Sequence, residues 1–139
     1  MKFLMNDGGR KNAGYRGTAG DCVVRAITIA TEKPYQEVYD VLFRLNQNQR
    51  GKKRGASPRD GGTKTATIRK YMTSIGWHWN PTMTIGSGCR VHLKADELPS
   101  GRLVVRVSKH VVAVIDGVIH DTYDCSRDET RCVYGYYSK

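Results

Sequence analysis

No apolar run in the 139-residue sequence approaches the length of a membrane span. The opening residues, Met1-Lys2-Phe3-Leu4-Met5-Asn6-Asp7, lack the long apolar stretch of a signal peptide. Together these absences lead us to expect no membrane partner and a cytoplasmic protein. The chain also has no Cys-x-x-Cys pair. Its cysteines, Cys22, Cys89, Cys125 and Cys132, are widely and irregularly spaced, which predicts free thiols in a reducing compartment. Acidic residues are scarce, 13 against 23 basic ones, for a formal net charge of +10. There are no repeats and no low-complexity tails, and an apolar fraction of 39% with 26% charged residues excludes a disordered chain. This length can bury a core without metal or disulfide staples, so residues 1–139 are expected to form a single domain.

Residues 6–20 are rich in glycine and show no periodic apolar face, so they read as a loop able to come close to a ligand or a neighbouring element. Asp21 then reads as the N-cap of a helix in which Val23, Ala26, Ile27 and Ala30 recur at helical spacing. The β-branched content of this run is also compatible with a buried strand; the glycines and the Asp cap favour the helix. Pro34 opens a second helix with a stripe of Tyr35, Val38, Tyr39, Leu42 and Leu45, ending near Asn46. A basic, glycine-containing loop covers 50–62, and a third helix runs from about Thr63 to Ser74, stopped by Gly76. Thereafter the period changes to two. Short strands are expected at Trp77–Trp79, Arg102–Val107, His110–Ile115, Val118–Tyr123 and Cys132–Tyr137, with 86–101 irregular and Asp116-Gly117 as a hairpin turn. The fold class is α+β, with N-terminal helices packed on a C-terminal antiparallel sheet.

Chemistry concentrates on Cys22. A thiol at a helix N-terminus lies at the positive end of the macrodipole, which favours the thiolate, the nucleophilic form. A two-residue Asp116-Gly117 turn sets Ile115 opposite Val118, Ala113 opposite His120 and Val112 opposite Asp121. His110 and Asp121 then share a face as diagonal neighbours, roughly 7–8 Å apart at the backbone, while His120 points to the other face. Cys22, His110 and Asp121 therefore have the character of nucleophile, base and orienter. For an oxyanion hole, the Cys22 N–H is one natural donor, and Asn12, Tyr15, Arg16 and Thr18 are the upstream candidates for a second.

Gly20-Asp21-Cys22 opening a helix, with Ser108-Lys109-His110-Val111-Val112-Ala113-Val114 and then Asp121 far downstream, resembles papain-like cysteine peptidases, most of all the bacteriocin-leader-processing branch. The resemblance implies a papain-like fold, Cys22 as nucleophile, His110 as general base, Asp121 as orienter, and a protein or peptide substrate. It departs from the family at Arg16, where a glutamine six residues before the cysteine usually completes the oxyanion hole. In Asp21-Cys22-x-Val24-Arg25-Ala26-Ile27, in the run from Gly86 to Leu93 and in the run from His110 to Asp121, the chain also resembles small proteins of phages and bacterial mobile elements, which implies an origin, in a bacterium or a phage-infected host, and not an activity.

Other signals are weaker. His120, Cys125 and Cys132, with Cys89 as a fourth ligand, lack the short spacing of structural zinc sites, so no metal or other cofactor is expected. Cys89, flanked by glycine at Gly86 and Gly88, ranks well below Cys22 as a nucleophile. Trp77 and Trp79 share one strand face and suit a core or groove wall. Lys52, Lys53, Arg54 and Arg59 in the basic loop would suit nucleic acid or an acidic host protein, and equally a solvated cationic face. That loop gives the second functional expectation, a non-enzymatic binding module.

Overall fold

The computed structural model describes residues 1–15, 21–47, 65–84 and 86–139. Arg16, Thr18 and the basic residues Lys52, Lys53, Arg54 and Arg59 lie outside the described residues. The described elements run in the order β1 (Lys2–Met5), α1 (Cys22–Thr31), α2 (Tyr35–Gln47), α3 (Thr65–Ser74), β2 (His78–Pro81), a short 3-10 helix (Ala95–Glu97), β3 (Arg102–Val107), β4 (His110–Ile115), β5 (Val118–Asp121) and β6 (Val133–Ser138). Among these residues no helix is long and apolar enough to cross a membrane.

The α+β class is observed, with three α-helices and one sheet of six strands ordered β1-β5-β4-β3-β6-β2 among the described residues. The sheet is mixed, which corrects the expectation of a purely antiparallel one: β1 pairs with β5 in parallel, and the other neighbours are antiparallel. The Phe3-Leu4-Met5 run, bounded by the turn formers that follow it, becomes an edge strand because β5 offers it an unpaired edge.

Each predicted helix forms, and its buried face explains why. In α1 every residue from Val23 to Ala30 is buried, so the strand alternative for this run is overturned. Helix α1 lies between the sheet and α2, which accounts for a β-branched helix with almost no polar face. Helix α2 buries Tyr35, Val38 and Leu42, as its stripe predicts, and α3 buries Ile68, Tyr71 and Met72. Gly76, at φ 86°, ends α3 in the left-handed conformation, with Trp77 N–H donating to Met72 O at 2.9 Å and Gly76 N–H to Thr73 O at 3.1 Å.

The central strands carry apolar residues at successive positions because both faces of the sheet are covered. Val104, Val111, Ala113 and Tyr137 face the helices. Leu103, Val105, Val107, Val112, Val114 and Ile119 form a second core with Leu93, Leu98, Cys125 and Val133. The segment expected to be irregular, 86–101, thus contributes a second layer through Leu93 and Leu98 rather than serving only as a connection. Trp77 and Trp79 both join the helix-side core. Trp79 lies directly over Gly135 of β6, where a Cβ would run into the indole.

The hairpin register is the one that Asp116-Gly117 predicts: Ile115 pairs with Val118, Val114 with Ile119 and Ala113 with His120. Both turn residues have positive φ, 49° and 78°. Strand β5 stops at Asp121, two residues earlier than expected. The expectation of free thiols is corrected for one pair, since Cys89 and Cys132 form a disulfide, brought together where His92 bridges to Cys132. Cys22 and Cys125 remain free.

Candidate active site

Cys22 is the first residue of α1, and His110 is the first residue of β4. Helix α1 packs on β4, which carries the start of the helix to the start of the strand. The Cys22 thiol lies beside the His110 ring and the Val111 backbone, within reach of the imidazole's charge and hydrogen bonding. On the ring's other side, His110 Nε2 donates to Asp121 Oδ2 at 2.6 Å. With Nε2 committed to the carboxylate, Nδ1 is the nitrogen left for sulfur. The structure thus brings together Cys22, His110 and Asp121.

The electrostatics follow from these contacts. Burial pushes the Cys22 thiol up, but the hydrogen bond and charge of His110, the Val111 backbone and the Arg25 guanidinium together hold it below its usual 9.0. Burial opposes a charge on His110 as well. The bonds to Asp121, Cys125 and Cys22 outweigh it and raise the imidazole from 6.5 to about 11. Burial would likewise raise Asp121; its bonds to His110 and Thr122 N–H and the charge of Arg25 hold it low. The arrangement favours a thiolate–imidazolium pair beside an ionised carboxylate.

A buried ionic chain supports this triad. Asp21 is fully buried and makes no side-chain cap bond, which corrects its expected role as a carboxylate turned onto the helix N–H groups. Its oxygens are instead held by Arg25, one turn along α1, by Arg10 at 3.2 Å, and by the Tyr35 hydroxyl, which donates at 2.7 Å. Arg25 also donates to Asp121 Oδ1 at 3.3 Å, and Thr122 N–H donates to the same oxygen at 2.7 Å. One Asp121 oxygen is therefore held by Arg25 and the backbone, and the other is free to take His110. Gly8, with φ 69°, lets the incoming loop pass against α1: a Cβ there would meet Arg25 O at 3.3 Å.

Sequence reasoning missed Arg25, Arg10, Tyr35 and Cys125. Arg25 had a visible signal, since a lone arginine on an otherwise apolar helix, four residues after an aspartate, needs a buried partner. Cys125 had none, because only the loop after β5 carries it back to His110.

The remaining candidates are dispersed. Asn12 is exposed on the turn before Tyr15, and the Tyr15 ring packs against Tyr35 and Tyr39 at 5.4 and 5.1 Å. His120 takes the other face, as its parity requires, with Nδ1 at 3.4 Å from Asn6 Nδ2. The alternative zinc set does not assemble: Cys89 and Cys132 are tied in their disulfide, and Cys125 turns to His110. Cys89 is likewise removed as a nucleophile. His92 Nδ1 lies 3.2 Å from Glu97 Oε1, and His78 is exposed at the start of β2.

Compared with protein-family models, curated proteins and solved structures, the chain has no significant match.

Proposed function

We propose that this protein is a cysteine hydrolase on a papain-like scaffold, cleaving an amide, peptide or isopeptide bond in a protein or peptide substrate. The observation that carries the proposal is the contact set around His110: the helix-start thiol of Cys22 on one side and Asp121 Oδ2 at 2.6 Å on the other. In this mechanism the Cys22 thiolate attacks the carbonyl carbon, and the Cys22 N–H at the helix start supports the oxyanion. His110 passes its proton to the leaving amine, and a thioester forms on Cys22. His110 then takes a proton from water as the water attacks, and the acid product leaves. Asp121 holds the ring in the required tautomer throughout. The proposed setting is a bacterial or phage-infected cytoplasm, although glutathione there would oppose the Cys89–Cys132 bond.

The test is site-resolved iodoacetamide labelling at neutral pH. Cys22 is expected to react far faster than Cys125, and His110→Ala to slow Cys22 by about tenfold for each unit its pKa rises. Equal rates at the two free thiols, or no effect of His110→Ala, would remove the activated nucleophile.

The net charge of +10 supports a second reading, a basic module that engages nucleic acid or an acidic host protein through Lys52, Lys53, Arg54 and Arg59. Steeply salt-dependent binding to arbitrary DNA or RNA, unchanged by Cys22→Ala, would favour it.

A further inference from the structure

The proposed chemistry leaves Cys125 without a task. It is a free thiol, 1% exposed, in the loop between β5 and β6. A nucleophile must be reachable by substrate, and this sulfur is not. Yet it lies beside His110. One donor atom from each of His110, Asp121 and Cys125 lies within 4.8 Å of the other two, and all three residues are buried.

That triangle has the dimensions of a metal site. Ligand atoms about 2.0–2.3 Å from a tetrahedral zinc ion stand roughly 3.3–3.8 Å from each other, so any edge near the 4.8 Å limit must contract and the 2.6 Å edge between His110 Nε2 and Asp121 Oδ2 must open to admit the ion. Imidazole nitrogen, thiolate sulfur and carboxylate oxygen together suit a borderline-soft divalent ion. The outer support that a ligating carboxylate requires is also in place, since Thr122 N–H and Arg25 hold Asp121 Oδ1. Two anionic ligands offset the charge of the ion, and Arg25 stays paired with Asp21 beyond them.

We propose that His110, Asp121 and Cys125 form a three-ligand zinc site, with water in the fourth position, and that zinc and the thiolate–imidazolium pair exclude each other. On binding, the Cys125 thiol loses its proton and His110 gives up the one it shares with Asp121. Both protons leave to water, and no other bond breaks. Zinc takes Nε2 in place of the proton shared with Asp121, so His110 keeps Nδ1 toward Cys22 but is no longer an imidazolium oriented by Asp121, and the ion acts as a reversible block. This blocking role rests on the hydrolase reading; the binding itself does not.

The experiment titrates zinc chloride into the full chain with its Cys89–Cys132 disulfide intact. A chromophoric chelator serves as competitor, with thermal melting alongside. One ion per chain and a raised melting temperature are expected. Cys22→Ala should keep both, and Cys125→Ala should lose at least about tenfold in affinity. Cobalt substitution should give a thiolate charge-transfer band in the wild type and in Cys22→Ala, absent from Cys125→Ala. If Cys125→Ala fails to fold, Cys125→Ser, which keeps the side-chain shape, takes its place. No stoichiometric binding by the folded chain, or affinity and band unchanged without the Cys125 sulfur, overturns the site. Intact binding that leaves Cys22 alkylation unslowed overturns the block alone.

Discussion

Arg25 is the residue on which the two buried carboxylates meet. It pairs with Asp21 and donates to Asp121 Oδ1, while its charge helps hold Cys22 low. Removing one partner from a buried pair costs more than the pair contributes, because the other charge is left uncompensated. Arg25→Met is therefore expected to destabilise the fold by about 3–5 kcal/mol in urea titration. Arg25→Lys keeps the charge but cannot hold both carboxylates in one planar fork. It should fold, and its Cys22 alkylation profile should shift to higher pH because Asp121 is less firmly aimed at His110. An unshifted profile in folded Arg25→Lys would reduce Arg25 to a structural ion pair. None of this was visible at Asp21 alone, since an aspartate before a helix has an ordinary capping role and nothing local says that its side chain turns inward.

At the scale of the element, the β4–β5 hairpin sets the base and its orienter on one face. Asp116 and Gly117, both at positive φ, make the two-residue turn that fixes Ile115 against Val118. Side-chain direction alternates along a strand, so a shift of one residue exchanges the faces. Inserting one glycine between Asp116 and Gly117 is expected to turn Asp121 away from His110 and Ile119 out of its core. The measured outcomes should be a lower urea midpoint and a Cys22 alkylation profile moved toward 9.0, the usual thiol value. If the insertion leaves both unchanged, the loop has absorbed the residue and the register does not carry the site. This hairpin was legible in advance because turn chemistry and alternation are local. Strand β1 was not, because four residues at an edge form a strand only when β5 is there to pair with them.

For the whole molecule, the buried charges make stability depend on pH. Asp121 is depressed in the folded state, so its contribution is present above its ordinary 3.8 and lost as pH falls through the lower folded value. His110 is raised, so its contribution is fully present below 6.5 and lost as pH rises through its folded value. In Cys22→Ala, which removes the opposing titration of the thiol, the urea midpoint should hold on the mildly acidic side of 6.5 and decline above it. Adding His110→Ala should flatten that alkaline decline; a decline that persists would assign it to other groups. The Cys89–Cys132 disulfide acts at the same scale, closing a separation of 43 residues. In the chain-entropy account a loop of that size stabilises by about 4 kcal/mol.

The helical stripes, the turn at Gly76, the hairpin register and the shared face of His110 and Asp121 were determined by the sequence itself. Each follows from backbone periodicity or from a conformation that few residues adopt, and such causes act over a handful of positions. Tertiary structure alone decided that Asp21 joins Arg10 and Tyr35, that Arg25 reaches Asp121, that Cys125 comes beside His110, that Cys89 meets Cys132, and that β1 completes a mixed sheet. Those contacts join residues distant in the chain. The energy that selects them, the cost of a buried charge or an unpaired strand edge, arises only when the layers close around them.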